Sequence, residues 1–221
     1  MNPIRLFLAF SALAAIVPST MANPSTYFNE TSYVEWLEGG ASEFYGNDVF
    51  LASAADESVG AAVFWAFNAT NSTLHMAVAV PADGWVSVGF SPMGTMAESD
   101  LLMYTLESPE DVWDMFIEAP PADRAPLYDA EECSNWELVN VISATLDGML
   151  IVEATRPMNT SDPQDYVIVD DNTTEPTLYL IAAWGDESFT YHGPDRAVSP
   201  NATFATPDTI TAPFGTSCAE L

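Results

Sequence analysis

The sequence predicts an all-β protein, an immunoglobulin-like antiparallel β-sandwich of about nine to eleven strands. Three observations carry that expectation. Apolar residues alternate with period two, as Leu74, Met76, Val78 and Val80 do against His75, Ala77 and Ala79. Such runs recur at about 8- to 14-residue spacing, cut by Gly, Pro, Asn and Asp. Helical periodicity is scarce.

The elements follow in order. Gly60 to Phe67 reads as a strand ended by the polar stretch Asn68 to Thr73, and Leu74 to Val80 follows. Pro81 to Gly84 is a turn that leads into the strand Trp85 to Phe90. Leu101 to Leu106 and Val112 to Ile117 are two more strands, and Pro120, Pro121 and Pro126 mark an extended loop. Trp136 to Leu146 and Met149 to Thr155 form a hairpin across an Asp147-Gly148 turn. Tyr166 to Val169 and Thr177 to Trp184 complete the set. The expected organisation is a signal peptide over residues 1–22, an arm over 23–43, the sandwich over 44–200 and a Pro- and Thr-rich tail over 201–221.

The N-terminus carries an address. Arg5 supplies a positive start, Leu6 to Val17 an apolar run, and Thr20-Met21-Ala22 a small-residue cleavage site. The apolar run is too short to span a membrane comfortably, and no later stretch is longer, so a secreted product without a membrane span is expected. Sequons at Asn29, Asn68, Asn71, Asn159, Asn172 and Asn201 agree with an extracellular glycoprotein. Cys133 and Cys218 are the only cysteines. In an oxidising compartment their default is a disulfide to each other, with free thiols or a bridge to another chain as alternatives.

Charge excludes several functions. Asp and Glu number 32 against 4 Lys+Arg, for a net charge of -28. Nucleic acid is not a partner of such a chain, because phosphate neutralisation needs cations. Docking on an anionic membrane fails for the same reason. The chain has 2 His and 2 Cys, too few for a multi-histidine centre or a cysteine-rich zinc site. Gly89-Phe90-Ser91-Pro92-Met93-Gly94 has the wrong spacing for a nucleophile elbow, and Pro92 has no N–H to offer an oxyanion. Asp170-Asp171 and Glu131-Glu132 could touch calcium, but no EF-hand spacing surrounds them. The expectation is a binding module, not an enzyme.

One ordered series of residues is left. Gly84-Trp85-Val86-Ser87-Val88-Gly89-Phe90-Ser91-Pro92 is followed by Met96, Ser99 and Asp100. Then come Trp113-Asp114, Arg156-Pro157, Asp162 and Asp165-Tyr166, and finally Ile181-Ala182-Ala183-Trp184-Gly185, Tyr191-His192-Gly193 and Arg196. Over about residues 45–200 this series resembles the DOMON domain, an extracellular sandwich that binds haem or sugar. The resemblance implies a b-type haem held between a methionine and a histidine, at Met96 and His192, with Met93 as the fallback. Lacking Cys-x-x-Cys-His, the chain would bind haem noncovalently. His75 is expected to be exposed and passive, and Trp85 and Trp184 to lie in the core. Two departures from the family pattern stand out. Ser161 replaces a cysteine found in members joined to copper monooxygenase domains, and Glu98 replaces a glycine after the methionine. No copper domain is expected, since the chain is short for one and its 2 His cannot supply the ligands. The implied function is a secreted haem-b module with an extracellular redox partner. The alternatives are a carbohydrate-binding module with exposed aromatics and a structural module without a cofactor.

Overall fold

The computed structural model describes residues 45–53, 56, 59–117, 126–128, 133–144, 149–169, 177–186, 188–189, 192 and 196–205. Every regular element among them is a strand. In chain order these are β1 (Asn47–Ala52), β2 (Gly60–Asn68), β3 (Thr73–Val80), β4 (Trp85–Ser91), β5 (Ser99–Thr105), β6 (Trp113–Ile117), β7 (Leu127–Tyr128), β8 (Glu137–Ala144), β9 (Met149–Pro157), β10 (Thr177–Gly185) and β11 (Arg196–Ala205). They build two antiparallel sheets. The first has five strands in the order β1-β2-β3-β9-β8, and the second six in the order β11-β10-β4-β5-β6-β7. The chain crosses between sheets at β3–β4, β7–β8 and β9–β10. No helix among the described residues is long and apolar enough to cross a membrane.

Alternation places the core. Leu74, Met76, Val78 and Val80 of β3 face Val86, Val88 and Phe90 of β4 across the sandwich, with Leu150, Val152 and Ala154 of β9 and Leu178, Leu180, Ala182 and Trp184 of β10 beside them. The opposite faces are apolar too. Ala62, Phe64, Ala77, Ala79 and Ile151 form a buried cluster outside the first sheet with Tyr45 and Met149. Trp85, Leu101, Met103, Met115, Ile117 and Ile181 form another outside the second. Trp85 is therefore buried as expected, but on this outer face; Trp184 lies between the sheets. Gly185 makes room for Trp85, since a Cβ there would meet the indole Nε1 at 2.5 Å.

Three sequence expectations need correction. Tyr166 to Val169 is not a strand of either sheet. Its apolar composition suits a strand, but its backbone is engaged by the buried side chains described below. The tail does not begin at residue 201, because β11 pairs with β10 from Arg196 to Ala205. Pro200 hides this strand in the sequence. It is tolerated because β11 is an edge strand, and the register shifts between Tyr179 and Ile181 opposite it. β1 was not expected either. It pairs Asn47 to Ala52 with Trp65 to Gly60. The expected signal peptide over 1–22, the expected arm over 23–43, the expected Asp147-Gly148 turn and the acidic pairs Glu131-Glu132 and Asp170-Asp171 lie outside the described residues.

Candidate functional site

The site is built by one loop and two strand ends on the outer face of the second sheet. Residues 92–98 connect β4 to β5 in a tight excursion, with Gly94 at φ 66° and Glu98 at φ 56°. Ser91 closes the loop at its start. Its Oγ donates to the Thr95 carbonyl at 2.6 Å and accepts from the amides of Met93 and Thr95 at 3.3 and 3.1 Å. The hydroxyl considered above as a nucleophile is thus committed to loop geometry, and Ser91 is fully buried. Ser99 closes the other end, its Oγ donating to the Met96 carbonyl at 2.7 Å.

Met96, half-buried, packs on the outer cluster of Trp85, Leu101, Met103, Met115, Ile117 and Ile181. Its Sδ lies 3.4 Å from Nε2 of His192, which arrives from beyond β10 and is 7% exposed. The two residues are 96 positions apart in sequence. Phe189 closes the same region, edge-on to Trp85 with ring centroids 5.0 Å apart. Met93 does not join them. Its side chain is 55% exposed, because Ser91 turns the loop before Met96 and leaves Met93 on the outside. His75 is half-buried on the outer face of the first sheet, not exposed, and burial lowers its pKa.

Directly inside this loop lies an ion cluster whose members are scattered along the sequence. Arg156 of β9 points between the sheets and is fully buried. Its guanidinium sits 5.5 Å from the Phe90 ring centroid and 5.3 Å from that of Trp136. Nη1 donates to Asp100 Oδ2 at 2.9 Å and lies 3.8 Å from Asp165 Oδ2, while Nη2 donates to the Tyr166 carbonyl. The Tyr166 amide donates to the same Asp100 oxygen at 3.1 Å, and the Tyr166 hydroxyl donates to the Glu98 carbonyl at 3.0 Å. Asn135 ties in Asp114, through its amide at 2.8 Å, and Asp165, through Nδ2 at 3.3 Å.

Electrostatics follows from this crowding. Carboxylate oxygens of Asp100, Asp114 and Asp165 lie within 4.8 Å of one another, close enough to hold a cation, and the guanidinium of Arg156 serves them. Burial alone would lower the Arg156 pKa; the charges of Asp100, Asp165 and Asp114 more than reverse this. Burial and the Asp100 charge push Asp165 up to about 7, against the opposing pull of Arg156. Asp162 is also raised, chiefly by burial.

The model of the DOMON domain family matches residues 59–185, more than half of the sequence. The chain belongs to the DOMON domain family. No curated protein matches it. Among solved structures it is similar to the cytochrome domain of Myriococcum thermophilum cellobiose dehydrogenase, at 13% identity and a TM-score of 0.41 over 69% of this chain and 77% of that one. The matched span of this DOMON domain contains Met96, Asp100 and Arg156, while His192 follows it.

The remaining expected sites fall as follows. Cys133 is buried, and no free thiol occurs among the described residues. Cys218 lies outside them, so its pairing with Cys133 stays an expectation. Asn71 and Asn159 are exposed and Asn68 is half-buried. Their Oδ1 atoms accept from Thr73, Ser161 and Thr70, which is the turn chemistry these side chains favour. Asn201 falls within β11, and Asn29 and Asn172 lie outside the described residues.

Proposed function

We propose that this DOMON domain is a secreted haem-b module that carries electrons, with Met96 and His192 as the residues that would hold its iron. The observation that carries the reading is the meeting of Met96 Sδ and His192 Nε2 at 3.4 Å over a buried apolar floor. The donor set suits the group. A thioether and an imidazole ligate iron without a formal charge, and the floor of Trp85, Leu101, Met103, Met115, Ile117 and Ile181 offers an aliphatic and aromatic surface to a flat macrocycle. Haem would supply a one-electron couple, and neutral ligands would place it higher than a thiolate would. The protein's own part is to orient the two donors and exclude water. At their present separation the donors must part to take a metal between them, and the unbranched Met96 side chain has the torsions to yield. Such a module is a redox carrier rather than a catalyst.

The test is reconstitution with haemin. The wild type should take up one equivalent and give a low-spin Soret spectrum. His192→Ala should lose that spectrum, and Met96→Ala should leave a five-coordinate, high-spin haem. No uptake by the wild type, or unchanged spectra in both variants, would remove the reading. A second reading, carbohydrate binding, has one observation in its favour: Tyr128 is 58% exposed and stands edge-on to Trp113 at 5.3 Å, a surface on which a sugar ring could stack. Tyr128→Ala would then lose binding on a glycan array while haemin uptake stays intact.

A further inference from the structure

We propose that Tyr166 and Ser99 are positioning residues for Met96, and that the buried Arg156 cluster is the anchor from which Tyr166 acts. The proposal builds on the haem reading for its consequence, but the positioning can be measured without haem. Met96 sits in a seven-residue excursion, 92–98, that carries both a left-handed glycine and a left-handed glutamate. A non-glycine residue with φ 56° persists only where its surroundings fix it. Here the fixing bond is visible. The Glu98 carbonyl accepts from the Tyr166 hydroxyl at 3.0 Å. One residue on, Ser99 Oγ holds the Met96 carbonyl at 2.7 Å.

Tyr166 can act as a strut because its own backbone is held twice. Its amide donates to Asp100 Oδ2 and its carbonyl accepts from Arg156 Nη2. Asp100 is also the residue after Ser99, on β5, and binds Arg156 on β9. A closed circuit therefore runs from Glu98 through Tyr166 to Arg156, to Asp100, and back to the loop. The circuit explains why Met96, Ser99, Asp100, Arg156 and Tyr166 occur together: each supplies one link. It also explains the burial of Arg156, which is linked to the Met96 loop through Tyr166 and Asp100. Its charge is satisfied by Asp100 and Asp165, and its hydrogen bond to Tyr166 transmits that order to the donor loop.

The experiment compares Tyr166→Phe and Ser99→Ala with the wild type and with Thr155→Val. Thr155 loses an equivalent bond, to the Leu74 carbonyl at 3.0 Å, in the first sheet away from the loop. The readout in the haem-free protein is the rate of peroxide oxidation of Met96, mapped by mass spectrometry and divided by that of exposed Met93. Loss of one such hydrogen bond corresponds to about a three- to tenfold shift in the population of the displaced loop. The Met96 to Met93 ratio should rise by that factor in Tyr166→Phe and Ser99→Ala and stay unchanged in Thr155→Val. If Tyr166→Phe does not fold, as judged by circular dichroism, Ser99→Ala decides. A ratio unchanged in these variants overturns the proposal, as does an equal rise in Thr155→Val. With haemin, the same two variants should show a larger high-spin fraction than the wild type. A wild type that takes up no haemin removes the haem reading, while the oxidation ratio still decides the clamp.

Discussion

The two outer faces of the sandwich have similar floors and different chemistry on top. Outside the first sheet, Ala62, Phe64, Ala77, Ala79 and Ile151 are buried beneath Tyr45, and the polar groups on that face include the carboxyl of Glu153 and the imidazole of half-buried His75. Outside the second, Leu101, Met103, Met115, Ile117 and Ile181 are buried beneath Trp85, and the polar groups on that face include the thioether of Met96 and the imidazole of His192. Burial raises the Glu153 pKa, even though hydrogen bonds from Asn140 and Tyr45 oppose the rise. A carboxyl in that setting relieves its desolvation by taking a proton. A thioether and an imidazole keep their lone pairs without needing a charge. Apolar burial and donor type alone therefore do not set the faces apart, since Met149 and His75 also lie on the first; the second is where a thioether and an imidazole meet, Met96 Sδ and His192 Nε2 at 3.4 Å.

The anchoring differs as well. The second face is tied from inside by the Arg156 ion cluster, the first by the hydrogen bonds of Glu153. The largest expected effect breaks this distinction at its root. Arg156→Met should destabilise by about 3–5 kcal/mol, because it strands buried Asp100 and Asp165 without their cation. Glu153→Gln keeps the shape and removes no counterion, so it should cost about 1 kcal/mol or less. Urea denaturation of the two variants at neutral pH measures both, and equal losses would erase the contrast.

A second, smaller effect is the pH dependence. Asp165 and Glu153 both have folded-state pKa values above their ordinary ones. The native state then binds more protons than the unfolded chain in the window between the two values. Stability should therefore rise as pH falls from about 7 toward about 4 and be lost as pH rises through that window. Melting curves across it should show this slope, and Asp165→Asn should flatten it more than Thr155→Val does. A stability that falls steadily on acidification from pH 7 would contradict the assignment.

The smallest effect concerns the loop. Glu98→Gly restores the residue type that suits φ 56°. It should stabilise by about 1 kcal/mol or less, since relief of backbone strain is partly offset by the added entropy of the unfolded chain. A clear drop in the melting temperature would mean that the Glu98 side chain contributes more than its backbone strain costs.

Much of this architecture was legible from alternation. β3, β4, β5, β6, β9 and β10 each lie within a residue or two of the apolar runs that announce them. The failures have physical causes. Tyr166 to Val169 has strand composition, yet the Tyr166 amide and carbonyl are bound by Asp100 and Arg156. β11 was masked by Pro200 and a register shift. At the site, Met96 and His192 were named through a family resemblance, and no local pattern brings together residues 96 positions apart. The ion cluster did leave a signal. Arg156 falls at an inward position of β9, in phase with Leu150, Val152 and Ala154, where an apolar residue is expected. A charge at such a position demands partners, and Asp100, Asp114 and Asp165 provide them.

The proposed holding of haem iron by Met96 and His192 together has a direct spectroscopic signature. Near-infrared magnetic circular dichroism of the reconstituted, oxidised wild-type protein reads the axial pair directly. A low-spin spectrum with methionine–histidine ligation is expected. A bis-histidine spectrum, which would bring in His75 from the opposite sheet, would contradict it, as would a high-spin spectrum without methionine.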